Sequence, residues 1–274
     1  FFINDKTRIV VGGTHGKTTV SSMIAWILYA EGKDPGFMIG GLPGNFRKNH
    51  RLGEGPFFVI EGDEYDTAYF DKRPKFLHYH PDIAVVTSCE FDHADIYENL
   101  EQIEQQFRAF VQLVPQEGTI IACGDDPCVR EIVKSCHVPV QLYGFQGQAE
   151  WSADEIIYDA EGIKATIVRR GRAVASGKLP LIGAHNLLNA VAAIAATERA
   201  GIEPQAAMNA LAGFQGVKRR QEMLGEERGV LVIDDFAHHP TAVHVTIAGV
   251  RMRFPKRRLV AVFEPRTNTS RRSL

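Results

Sequence analysis

The stretch "GGTHGKTT", residues 12–19, sets glycines, a lysine and threonines in the order a phosphate-binding loop needs. Gly13 and Gly16 carry no Cβ, so phosphates can approach the backbone closely. Lys17 places a charge on a stem long enough to reach β- and γ-phosphates, and the Thr18 hydroxyl is a hard oxygen ligand for Mg2+. Thr14, His15 and Thr19 complete the nucleotide-contacting run. The longest form of this loop opens with a further glycine where Val11 stands, so the loop here is a short variant. Two acidic runs could serve the same ion. "EGDEYD" holds Glu61, Asp63, Glu64 and Asp66, and "EFDHAD" holds Glu90, Asp92, His93 and Asp95. A carboxylate at the end of a strand beside the loop commonly helps to hold Mg2+ in phosphoryl transfer, whereas imidazole suits softer ions. The residues alone therefore imply ATP or GTP with one or two Mg2+ ions. A solvated acidic loop is the alternative for each run.

These groups need elements to hold them in place. "RIVV" before the loop is a β-rich run, and after it Val20, Met23, Ile24, Ile27 and Leu28 recur at helical spacing up to Gly32. The loop thus joins a strand to a helix N-terminus, where unpaired N–H groups and the helix dipole favour an anion. Short apolar runs at 57–61, 83–88, 119–124 and 138–144 read as buried parallel strands, with a helix over 99–114 between two of them. That alternation predicts an α/β fold: a P-loop-type, mostly parallel central sheet flanked by helices. Residues 150–182 read as a small antiparallel meander, followed by two helices. "GVKRRQEMLGEERG" reads as a linker. "GVLVIDDF", "PTAVHVTIAGVRMRF" and "RLVAVFEP" then read as strand, helix and strand, the start of a Rossmann-like unit. The expected division is 1–225 for the central domain and 226–274 for part of a second one.

Composition fits a globular chain: 45% of its 274 residues are hydrophobic and 23% charged. A net charge of −2 gives no basic field for nucleic acid, and no apolar run has the length of a membrane span. Four cysteines without Cys-x-x-Cys spacing read as reduced thiols of a cytoplasmic protein. The chain starts without Met and stops just after an apolar run, so the expectation is a fragment cut at both ends.

In order along the chain, "GGTHGKTT", "EGDEYD", "EFDHAD", "GAHNLLNAVAAIAA", "FQGVKRR", "DDFAHHPT" and "FEPRTNT" resemble the motifs of the Mur ligase family, over essentially the whole length. The resemblance implies an ATP-dependent, Mg2+-using amide ligase of peptidoglycan metabolism that acts on UDP-N-acetylmuramate. "GGLPGNF", "EGDEYDTAYFDKRPKFLHYHP" and "EPRTNT" resemble the members that attach a recycled murein tripeptide, L-alanyl-γ-D-glutamyl-meso-diaminopimelate. The L-alanine-adding members, the nearer alternative, usually have Ser where Tyr65 stands. A plain P-loop NTPase or kinase is the alternative of another class.

By the same resemblance, Lys17 contacts the ATP phosphates, and Thr18, Glu61 and His93 hold Mg2+. His185, Asn186 and Asn189 approach the adenine, and Arg219 or Arg220 bridges towards phosphate. Asp235 takes the ribose, and His238 lies near the γ-phosphate or the incoming amine. Arg266 meets the peptide carboxylate. Other members carry a carbamylated lysine downstream of the metal-binding His; here Phe107 and Arg108 occupy that region, so no carbamate is expected. The implied chemistry is carboxylate attack on ATP, an acyl phosphate, then attack by the peptide amine. A base for that amine is not identified by the sequence. With the UDP-sugar domain and most of the second domain missing, the fragment is expected to bind Mg-ATP weakly and to ligate nothing.

Overall fold

The computed structural model describes residues 3–92, 96–159 and 161–265. The apolar runs that lack polar alternation become strands covered on both faces. These are β1 (Thr7–Gly12), β4 (Phe57–Glu61), β7 (Ile83–Val86), β8 (Thr119–Cys123) and β9 (Val140–Tyr143); the short β2 (Gly36–Met38) and β3 (His50–Arg51) extend the sheet at its edge, where Met38 and His50 are exposed. Ile9, Val10, Val11, Val59, Ala84, Val85, Val86, Ile120 and Ile121 are fully buried, which is why no solvent-facing alternation shows in the sequence. Beyond β9 the chain forms β10 (Trp151–Asp159), β11 (Gly162–Arg169) and β12 (Arg172–Leu179). One ten-stranded sheet results, in the order β12-β11-β10-β9-β8-β7-β1-β4-β2-β3. It is parallel from β10 through β2 and antiparallel at both ends. The expected meander is thus present, but as a continuation of the main sheet. Trp151 makes the seam: it pairs with Tyr143, is fully buried, and donates its Nε1–H to Gln141 Oε1 at 2.8 Å.

Helices cover the sheet in two groups. α1 (Lys17–Ala30), α4 (Ala184–Arg199) and α5 (Pro204–Leu211) pack on one another, as do α2 (Leu100–Gln112), α3 (Pro127–Val133) and a 3-10 turn at Lys75–His78. Phe107 stacks on Phe76 at 5.5 Å inside that second group, and Arg108 donates to the Glu131 carbonyl. A small hairpin, β5 (Asp66–Ala68) with β6 (Asp71–Pro74), follows the first acidic run.

The C-terminal part differs from expectation at two places. Within the predicted linker, β13 (Glu222–Glu227) pairs antiparallel with β14 (Val230–Asp234). The bulge between Met223 and Gly225 breaks the alternation that would have marked a strand, and most of β13 is exposed. α6 (Pro240–Arg253) follows as predicted. The strand expected in "RLVAVFEP" does not form over its described residues: Val260, Val262 and Phe263 are exposed and lie outside any ladder. A strand is defined by its partner, and here β14 is paired to β13 instead.

Strand register fixes the site. Val11 lies opposite Glu61 and Gly12 opposite Val86, so the carboxyl ends of β4, β1 and β7 stand side by side. The glycine loop leaves the middle strand, with one acidic run on each side.

Candidate active site

The glycine loop is held on its β7 side by a set of short polar contacts. Thr14 N–H donates to the Ser88 carbonyl at 3.0 Å and His15 N–H to Ser88 Oγ at 2.8 Å. Thr14 Oγ1 both accepts from Glu90 N–H and donates to the Glu90 carbonyl. The Thr87 hydroxyl bridges the Gly12 and His15 carbonyls. Gly13, at φ +133°, lies so close to this wall that a Cβ would stand 2.1 Å from Thr87 Oγ1 and 2.8 Å from Ser88 N. Gly16, at φ +83°, is the N-cap of α1, and no side chain caps that terminus. The loop therefore presents an open helix N-terminus to an anion.

On the β4 side, Thr18 Oγ1 donates to Glu61 Oε1 at 2.8 Å, and Glu61 Oε2 accepts from Gly40 N–H at 2.6 Å. A hydroxyl and a carboxylate side by side are the hard oxygen donors that suit Mg2+. Lys17 Nζ donates to the Gly13 carbonyl at 2.6 Å and pairs with Glu64 at 2.8 Å. Burial works against the ammonium charge. The Glu64, Glu61 and Asp63 carboxylates outweigh it and raise the Lys17 pKa above its ordinary value. Glu64 occupies the position on Lys17 that suits a phosphate oxygen.

A line of amides runs from the loop to the C-terminal part. A Cβ on Gly16 would stand 2.7 Å from Asn189 Oδ1, so Asn189 touches the loop itself. Asn189 Nδ2 donates to Asn186 Oδ1 at 3.3 Å, and Asn186 Nδ2 donates to the Ile182 carbonyl and to Gln221 Oε1. Gln221 also meets His185 Nε2 at 3.4 Å, and burial pushes the His185 pKa down to about 4. Gln221 N–H donates to Asp235 Oδ2 at 2.8 Å, while Asp235 Oδ1 accepts from Ala237 N–H at 2.7 Å. Burial raises the Asp235 pKa in spite of those donors. Burial likewise lowers that of Arg220, against the pull of Asp235 and Glu61, and its guanidinium lies 5.1 Å over the Phe236 ring. Arg219 meets the same ring at 5.3 Å and pairs with Asp234 at 3.3 Å.

The structure thus joins Gly13, Thr14, His15, Gly16, Lys17, Thr18, Thr19 and Glu61 in one place, with Asn189 against them. Asn186, His185, Arg220 and Asp235 form a second group around Gln221 and Phe236. His238 contacts the Phe236 carbonyl at 2.9 Å and Asp92 at 3.8 Å. It is the neighbouring His239 that reaches the loop, its ring 4.8 Å from that of His15. His93 and Arg266, expected for the metal and the peptide, lie outside the described residues. Sequence reasoning passed over Gln221 and His239. The paired histidine in "DDFAHHPT" signalled the second, and only the packing singles out Gln221.

The chain matches the family model for the Mur ligase middle domain over residues 11–197 and that for the Mur ligase glutamate ligase domain over 219–274. An Escherichia coli (strain K12) protein named UDP-N-acetylmuramate–L-alanyl-γ-D-glutamyl-meso-2,6-diaminoheptandioate ligase is 45% identical over 98% of this chain and 58% of its own length. A UDP-N-acetylmuramate–L-alanine ligase of Nitratidesulfovibrio vulgaris (strain DP4) is 41% identical over 95% and 56%. A solved murein peptide ligase from Psychrobacter arcticus superposes with a TM-score of 0.75 at 37% identity, covering 97% of this chain and 58% of that one. The chain therefore spans a little over half the length of the curated relatives it matches. By these matches, in the order of its motifs and in its fold, the chain belongs to the Mur ligase family.

Proposed function

We propose that this chain carries the nucleotide-handling centre of an ATP-dependent amide ligase. The ligase joins UDP-N-acetylmuramate to L-alanyl-γ-D-glutamyl-meso-diaminopimelate through an acyl phosphate, in cytoplasmic peptidoglycan recycling. The observation that carries the reading is the pairing of Lys17 with Glu64 and of Thr18 with Glu61 around an uncapped helix N-terminus. The 45% identical relative supports the choice of peptide, and the 41% identical L-alanine ligase supports the second reading, in which free L-alanine is the acceptor.

Thr18 and Glu61 would hold Mg2+, with His93 assigned by motif. The donor set fits a hard cation, which supplies charge neutralisation at the phosphates. Gly13 and Gly16 admit the phosphates. Lys17, kept charged by its carboxylate neighbours, turns from Glu64 to the γ-phosphate and offsets the charge that develops there. Asn189 and Asn186 line the way towards the base. By motif, Asp235 is assigned to the ribose and Arg220 to a phosphate, and the two lie together beside Gln221 and Phe236. By motif alone, His238 is assigned to the amine and Arg266 to the peptide carboxylate. We place the change of domain ahead of β13, because β13 pairs with β14 and a boundary at 225/226 would cut that strand.

Phosphate release by the protein carrying this chain, with ATP and UDP-N-acetylmuramate, should depend on the tripeptide. Preference for L-alanine would select the second reading, and release without either acceptor would select a plain NTPase. Lys17→Met should lower the tripeptide-dependent rate by roughly 10²–10³-fold, the scale of removing one preorganised transition-state donor.

A further inference from the structure

On the β7 side of the glycine loop, away from the Thr18–Glu61 pair, three side chains from distant parts of the sequence converge. They are His15 of the loop, Glu90 after β7, and His239 at the N-cap of α6. One nitrogen of each imidazole and one carboxylate oxygen all lie within 4.8 Å of one another. Glu90 Oε2 is 3.3 Å from His15 Nε2 and 3.4 Å from His239 Nδ1. Four ligands at about 2.05 Å from a tetrahedral ion stand roughly 3.3 Å apart, so the two spacings to Glu90 match the edge of a metal-centred tetrahedron, while the two imidazole nitrogens lie within 4.8 Å of each other and close on the ion as it binds.

The hydrogen bonds around the cluster favour a cation at its centre. His239 Nε2 faces the Phe91 carbonyl at 3.2 Å, an acceptor, so that nitrogen carries the proton. In the neutral ring Nδ1 is then an acceptor; it takes the Thr241 N–H and also lies 3.4 Å from the Glu90 carboxylate. Two acceptors at this distance repel unless a positive charge sits between them. A ring N–H fixed on a backbone carbonyl is also the usual outer support of a metal-binding histidine. Glu90 is supported in the same way. Thr241 Oγ1 donates to its Oε2 at 2.7 Å, and Thr14 pins its backbone on both sides. Thr241 N–H reaches His239 Nδ1 only at 3.3 Å, a long contact for an ion to replace.

We propose that His15 Nε2, Glu90 Oε2 and His239 Nδ1 form a tetrahedral site for a borderline divalent transition metal, best fitted by Zn2+, that staples the glycine loop to the N-terminus of α6. Two imidazoles and one carboxylate with an open fourth position suit Zn2+ or Co2+; Mg2+ prefers six oxygens. The proposal stands apart from the ligase reading and does not depend on it.

The test is a Co2+ titration of the full chain after chelation and dialysis, read by visible absorption. The expected result is the intense band of tetrahedral Co2+, saturating at a single equivalent. Zn2+ abolishes it, and a large excess of Mg2+ does not. His239→Ala and Glu90→Gln should each weaken Co2+ binding by more than about 100-fold, beyond the roughly 10–100-fold of an outer-shell change. Glu61→Gln and His50→Ala, an exposed imidazole, should keep the band. Far-UV circular dichroism checks that each variant is folded, and the wild-type arm decides if one is not. Only weak octahedral absorption in the wild type would overturn the proposal. So would a band that survives His239→Ala but is lost with Glu61→Gln, which would place the ion beside Thr18.

Discussion

At the scale of single residues, charge at the site is decided by competition between burial and neighbours. Lys17 and His185 are both enclosed, yet their pKa values move in opposite directions. Lys17 has Glu64 against its ammonium, whereas His185, among the described residues, meets the neutral Gln221 amide. The His185 shift, from 6.5 to about 4, has a signed consequence for stability. Between those values the unfolded chain binds the proton and the folded chain does not, so stability falls as pH falls through the window. It is fully present above the upper value and levels off below the lower one. The shift corresponds to roughly 3 kcal/mol. Urea midpoints measured from pH 4 to 7.5 should show this slope, and His185→Gln should flatten it. An unchanged slope in that variant would assign the effect to other groups.

At the scale of elements, the loop works because three strand ends are in register and β7 supplies its wall. Gly13 is the tightest point of that arrangement. Gly13→Ala would set a methyl against Thr87 Oγ1 and the Ser88 backbone at a φ that side chains rarely adopt. The backbone term alone is about 1–3 kcal/mol, so thermal unfolding should begin several degrees lower and nucleotide affinity should fall with it. A variant with an unchanged melting temperature would show that the wall can move. Asp126 does related work one strand over. It caps α3 through Val129 N–H at 3.1 Å and holds Cys89 N–H at 2.8 Å, just before Glu90. Asp126→Ala removes both bonds. The cap alone costs about 0.5–2 kcal/mol, measurable as a shift in the denaturation midpoint at constant slope.

At the scale of the molecule, β13, β14 and α6 are tied to the large sheet through few groups. Arg219 and Gln221 both adopt positive φ, at 59° and 52°, where the chain crosses over. Asp235 closes that crossing through Gln221 N–H, Ala237 N–H and Thr246 Oγ1, and Phe236 N–H donates to the Arg219 carbonyl. Asp235→Ala should free this junction before it affects the core around Trp151 and Phe110. Hydrogen exchange should speed up over β13 and α6 while β1, β7 and β8 stay protected. Uniform acceleration across the chain would mean that the two parts unfold as one unit.

Sequence by itself determined the local features: a strand, a glycine loop with lysine and threonine, and a helix, with acidic runs closing β4 and following β7. Those follow from residue type and short-range spacing, as do β8, β9, α2 and α4, whose apolar patterns belong to single elements. Only the tertiary structure decided which groups meet. That Glu64 sits on Lys17, that Asn189 touches Gly16 and that Gln221 links His185 to Asp235 depend on contacts between segments far apart in the chain. The same holds for His239, rather than His238, meeting the loop. β13 and residues 259–263, which lie outside any ladder, show the same limit, because a strand exists only through its partner, and no local pattern names that partner.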